Sequence, residues 1–267
     1  MNWSRVQTIV GRELLEIRQN RTLLFTIFLP PLLLTLLPLG IFGVLGKEMS
    51  SGNFSSGGTF DRLLALAPEL ASYAPQELAQ LIVFQQFLVL YLILPLIIPM
   101  TVAAYSIIGE KQARSLEPLL ATPIRTGELL LGKAIAAVVP AVLATWLAYV
   151  IFFIGATFVT TPRVLAGLFN PMWLVAMIFL VPLLGLLSVS IAVMISSRVN
   201  DTRAAQQIGS KLVIPAVVLG LAQTSGLILL NALTFVIGSA AIAVIDAGVL
   251  YAATKIFQRE KILTQWK

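Results

Sequence analysis

Six long apolar runs dominate this chain, at 23–45, 81–107, 133–158, 172–196, 211–230 and 232–255. A helix needs roughly 20 mostly apolar residues to cross the hydrocarbon of a bilayer. Lipid offers the backbone no hydrogen bonds, so each run must satisfy its own N–H and C=O groups by coiling into a helix. Six such runs within 267 residues leave little chain for anything else. The pattern predicts an all-α membrane protein of six transmembrane helices, a single domain over 1–267. Composition agrees: 58% of residues are hydrophobic and 11% charged, against roughly 45–50% and about 25% in soluble domains. Pro30, Pro31 and Pro38 fall in the first run, where neighbouring helices can re-satisfy the carbonyls they free. The last two runs are nearly continuous, with the turn at Asn231 or earlier, around "QTSG" at 223–226.

Lys and Arg orient the spans, because they concentrate in cytoplasmic loops. Segments 1–22, 108–133, 197–211 and 255–267 hold four, four, three and four of them; the alternate segments 46–80, 159–171 and 224–231 hold two, one and none. Fifteen against three places both termini in the cytoplasm. The first 22 residues lack a short apolar core ending in small residues, so no cleavable signal peptide is expected. Instead Val6, Ile9, Val10, Leu14 and Ile17 recur at helical spacing, with Arg5, Arg12, Arg18 and Arg21 on other faces. Such a helix lies in the headgroup plane or is solvated. The extracytoplasmic loop 46–80 starts Gly/Ser-rich and turns helical at "FDRLLALAPELASYAPQELAQ". It either caps the helix ends or gates the exit side.

Missing chemistry narrows the function. The chain has no cysteine and no histidine, which removes thiolates, the commonest metal ligand and the commonest general base. The excess of Lys and Arg comes without an arginine-rich helix or a stacking platform, so nucleic acid is not an expected partner. "GELLLGKA" (127–134) matches a phosphate loop up to its last position, where Ala134 replaces the Ser or Thr that would hold magnesium. No strand is expected before it, so no nucleotide site is expected. Asp246 is the acid that lies well inside a span. Such a group is a candidate functional site. It carries a proton or a cation, faces a dimer axis, or is satisfied by neighbouring helices. Asp201 and Arg203 are expected to cap and decorate the start of the fifth span.

The most informative stretch is "GEKQARSLEPLLATPIRTGELLLGK" (109–133), a cytoplasmic loop with seven ionisable side chains. Glu110 and Arg114 are four apart with the acid first, the favourable helical order. Ser115 is a good N-cap, Glu117 suits a positive helix start, and Pro118 is tolerated in a first turn. Pro123 biases Thr122 to extended backbone and ends the helix. Thr126 is a candidate cap for the next one. Leu116, Leu119 and Leu120 then form an apolar face in water. They anchor in a groove on another protein or pack back on the N-terminal helix.

This stretch resembles the cytoplasmic coupling segment of ABC-2 type permeases, the membrane subunits of one class of ATP-binding cassette transporter. The resemblance rests on Glu110, Lys111, Ser115, Glu117, the Leu119–Leu120 pair, Thr122–Pro123 and the run Glu128, Leu129, Leu130, Gly132, Lys133. "SSRVNDTRAAQQIG" (196–209) is similar to the family's second cytoplasmic segment, and the tail "FQREKILTQWK" and an N-terminal helix with Arg12 and Glu13 fit too. Pro118 departs from the pattern and blurs where the coupling helix starts. The resemblance implies six spans, an N-terminal elbow helix (1–22) carrying Arg12 and Glu13, and a cytoplasmic coupling segment (108–132). The coupling residues would be Glu110, Lys111, Arg114, Ser115, Leu116, Glu117, Leu119, Leu120, Thr122 and Pro123. It implies a second permease copy and a separate ATP-binding subunit that holds ATP and magnesium, with no cofactor on this chain.

The expectation is therefore a permease subunit, exporting across the plasma (inner) membrane. A secondary transporter would need buried charged or unwound elements, of which Asp246 is one; no internal repeat supports it. A membrane enzyme would want clustered acids with metal spacing. A non-transporting scaffold is the remaining alternative. The pathway would be lined by Thr, Ser, Met, Phe and Tyr of spans one, two and five, which suits amphipathic molecules, lipid-linked glycans or ions held by hydroxyls.

Overall fold

The computed structural model describes residues 2–49, 71–113, 126–224 and 232–256. These are helical, with no strand among the described residues, and six of the helical stretches are long and apolar enough to cross a membrane. In chain order they are α1 (Trp3–Gln19), α2 (Arg21–Met49), α3 (Pro75–Tyr91), α4 (Leu94–Gln112), α5 (Thr126–Val159), α6 (Pro162–Leu168) and α7 (Pro171–Val175). A π-helical segment (Ala176–Leu180) leads into α8 (Val181–Arg198). Then come α9 (Thr202–Gly209), α10 (Val213–Thr224) and α11 (Ala232–Ile256). Polar caps set the starts. Asn20, Thr161, Asn170 and Asp201 accept hydrogen bonds from backbone N–H groups two or three residues on, and Pro162 and Pro171 open their helices where a missing N–H costs nothing. Asp201 thus caps as expected, and Arg203 supplies one of the bound N–H groups.

Three span boundaries differ from the hydropathy reading. The second run, expected as one helix over 81–107, is two helices joined at Leu92–Ile93. Pro95 has no N–H for the carbonyl four residues back, and the chain tightens there, with Leu92 N–H donating to Val89 O and Ile93 N–H to Leu90 O. The third helix begins at Thr126, seven residues ahead of its apolar run, and carries Glu128 and Lys133 with it. The fifth span begins at Thr202 rather than 211, because the polar α9 continues through a 3-10 turn (Ser210–Leu212) into α10. The turn between the last two spans and the loop helix at 60–70 lie outside the described residues.

The spans containing α3–α4 and α7–α8 form the centre, with 56% of their apolar windows buried, against 17% for the spans of α9–α10 and α11. α2 shows how an outer span is patterned. Leu23, Ile27, Pro31, Thr35, Pro38 and Phe42 form one buried stripe, while Phe25, Phe28, Leu29, Leu32, Leu33, Leu36 and Leu37 are exposed. A continuous apolar surface of that size belongs in lipid or against a partner. Polar side chains in the bundle bond to helix carbonyls, one of them released by the π segment. Thr35 Oγ1 donates to Pro31 O at 2.8 Å and lies 2.7 Å from the Tyr91 hydroxyl, linking α2 to α3. Pro182 has no N–H for Met177 five residues back, and Trp146 of α5 fills the gap, its Nε1 2.8 Å from Met177 O. At the end away from α1, Thr161 donates to Glu77 and Gln80 to Val159 O. Arg163 lies 5.0 Å from the centroid of the Tyr73 ring. The end of the long loop is thereby tied to the turn beyond α5.

Candidate functional site: a buried charge cluster beside the 114–125 segment

α1 lies across the ends of α4 and α5, the two helices that flank segment 114–125. Its buried face is Val6, Glu13 and Ile17, with Ile9 and Val10 half-buried; Leu14, expected on that face, is 37% exposed. A carboxylate on an inward face is costly unless it is paired. Glu13 is paired with Lys133 of α5, whose Nζ is 2.6 Å from Glu13 Oε1, 2.9 Å from Glu110 Oε2 and 2.6 Å from Ser106 Oγ. Ser106 in turn donates to Glu13 Oε2 at 2.7 Å. Arg12 approaches the other oxygen of Glu110 at 3.4 Å. Glu13, Glu110 and Lys133 are all below 8% exposed. Two acids and two bases balance, so the cluster is neutral as a whole.

A second contact secures the start of α1. The backbone N–H of Asn2 donates to Glu128 Oε1 at 2.7 Å, and Arg5 stands 3.7 Å from Glu128 Oε2. Between the two contacts the helices touch. A Cβ on Gly132 would sit 2.6 Å from Ile9 Cγ2 and 2.8 Å from Ile9 Cβ, so only glycine lets α1 come this close. Beyond α4, the side chain of Gln112 donates to Asn200 O at 2.9 Å, and Ala205 of α9 packs on Ala104 and Ile108. The segment similar to a second cytoplasmic loop therefore joins the same end of α4.

The motif "GELLLGKA" takes on a different meaning from this geometry. Residues 127–134 are continuous helix, not a loop, and Lys133 is held by two carboxylates. Glu128, Gly132 and Lys133 all contact α1. Of the residues expected to matter, Arg12, Glu13 and Glu110 meet in one cluster. Lys111 is half-buried one residue beyond. Glu110 is buried against Lys133 and Arg12, while Arg114, its expected partner along the helix, lies outside the described residues. Arg114, Ser115, Leu116, Glu117, Leu119, Leu120, Thr122 and Pro123 lie outside the described residues. Asp246 is far along α11 and takes no part. The sequence reading gave no role here to Ser106, or to Ile9 and Gly132 as a contact. The available signal was Lys133 itself, a base at the mouth of an apolar run that must find acids on neighbouring helices.

The sequence model of a family described as ABC-2 family transporter protein matches residues 7–263. The chain belongs to the ABC-2 transporter family. No curated protein matches it. This ABC-2 protein is thus a multi-pass membrane protein, and the match takes in α1, the charge cluster, all six spans and the 114–125 segment.

Proposed function

We propose that this ABC-2 protein is the permease subunit of an ATP-driven exporter, coupled to a separate ATPase through segment 109–123. The observation that carries the reading is Lys133, which ties Glu13 of α1 to Glu110 of α4 from its place on α5. The segment leaves α4 at Gln112 and enters α5 at Thr126, so both its ends are rooted in one charge-locked block. A push on a docked helix within 115–121 would be handed to α1, α4 and α5 together, as rigid-body motion rather than local bending. A merely solvated loop needs no such footing. The fifteen-to-three distribution of Lys and Arg supports a cytoplasmic side for this block and both termini. Export across the plasma membrane, ATP and magnesium on the partner, and a second permease copy complete the reading.

The test is co-purification from native cells of the tagged chain, with ATPase activity assayed in the eluate. Wild type should bring down a stoichiometric ATPase. Leu120→Asp should lose it, and Glu117→Arg should retain ATP hydrolysis but uncouple transport, with membrane insertion intact in both. Full coupling in both variants, or a wild-type chain that brings down no ATPase, refutes the proposal.

A further inference from the structure

Asp246 is a buried acid that the charge cluster does not use. On α11 the buried residues Phe235, Ser239, Asp246 and Ala253 form one stripe, which faces α7, the π segment and α8. Asp246 is 2% exposed, and neither carboxylate oxygen has a hydrogen-bond partner among the described residues. Nor, among the described residues of the elements packed on it, does a counter-charge face it. The packed elements span 171–197, a stretch with no acid, base or tyrosine, and Arg198 is exposed at the far end of α8. On α11 itself the other titratable groups are Tyr251, which is exposed, and Lys255, nine residues on. Asp246 sits seven residues inside the limit of the apolar span at Ala253, which is about 10 Å along a helix.

A bare carboxylate at that depth is strongly disfavoured. Three occupants could neutralise it. A metal ion needs further ligands, and no group of acids that could hold one occurs among the described residues. A base on a second copy cannot reach a side chain that its own chain already covers. A proton needs neither cage nor access. We propose that Asp246 is a proton-binding site, filled while α11 is packed on α8 and emptied when that seam opens to water. The ionised form needs solvent, so proton release and seam opening are linked. Raising the pH favours the open seam, and lowering it favours the packed one. The proposal concerns this seam alone and stands apart from the ATPase reading.

The full chain in lipid nanodiscs, treated with dicyclohexylcarbodiimide, tests the site directly. A protonated carboxyl adds its O–H across a C=N bond of this reagent, and in an apolar setting the resulting O-acylisourea rearranges by acyl migration to a stable N-acylurea. Peptide mapping should find the adduct on Asp246 at neutral pH, and less of it at alkaline pH. An adduct on Asp246 that does not fall as the pH rises overturns the proposal. The chain has no cysteine, so Val249→Cys, half-buried one turn on, provides a single reporter thiol. Its labelling by a charged maleimide should rise with pH several-fold more steeply than in the same variant carrying Asp246→Asn. The thiol's own ionisation is common to both, so equal slopes overturn the link to the seam. Carbodiimide mapping uses the unaltered sequence and stands even if Asp246→Asn fails to fold.

Discussion

Lys133→Met removes the base on which the cluster converges and keeps an unbranched apolar stem. Glu13 and Glu110, at 5% and 7% exposure, would then share a buried site without the base that bridges them, and the neighbouring Arg12 is more than half exposed. Breaking a buried pair by removing one partner costs about 3–5 kcal/mol, because a charge is left uncompensated. At about 1.4 kcal/mol per factor of ten, the equilibrium for α1 leaving the bundle shifts by roughly two to four powers of ten. The assay is accessibility of a single cysteine at Ile9, with the rate of maleimide labelling reporting the undocked fraction. Lys133→Met should accelerate labelling by at least an order of magnitude. Adding Glu13→Gln and Glu110→Gln should restore most of the protection, since neutral amides need no counter-charge. Unchanged labelling in Lys133→Met would refute the reasoning. So would a triple variant as loose as the single one, because the cost would then not be electrostatic.

Gly132→Ala places a methyl group within 3 Å of the Ile9 side chain. It should weaken cross-linking between cysteines placed on α1 and α5, and Ile9→Ala should recover it. Trp146→Phe leaves the Met177 carbonyl without the N–H that Pro182 cannot supply. A buried orphan acceptor costs about 1–3 kcal/mol, so detergent-solubilised protein should lose thermal stability, and a wild-type melting curve would count against that hydrogen bond.

Some of this protein was legible because its cause is local. A run of apolar residues becomes a spanning helix wherever lipid denies the backbone other partners. Asn170–Pro171 and Asp201 mark helix starts through side chains acting on their own neighbours. Boundaries were less visible where polar residues continue a helix, as at Thr126 and Thr202, since hydropathy sees only the part that lipid touches. The break at Leu92–Ile93 had a local signal in Pro95, but three prolines in α2 leave that helix unbroken. One proline in a sequence cannot say which outcome follows.

The sequence by itself determined the solvent, the helical class, the number of spans and the polar stretch between the second and third. Each follows from covalent neighbours and from the medium. Only the tertiary structure decided what the charges do. Glu13, Glu110 and Lys133 are separated by 97, 23 and 120 positions, and nothing in that spacing pairs them. Gly132, which in the sequence is only one member of a motif, is what allows α1 to close on α5 and bring Lys133 to Glu13. Burial then makes the pairing compulsory, because a charge excluded from water must find its opposite within reach. Where the described residues offer no opposite charge, as around Asp246, a proton is the occupant we propose.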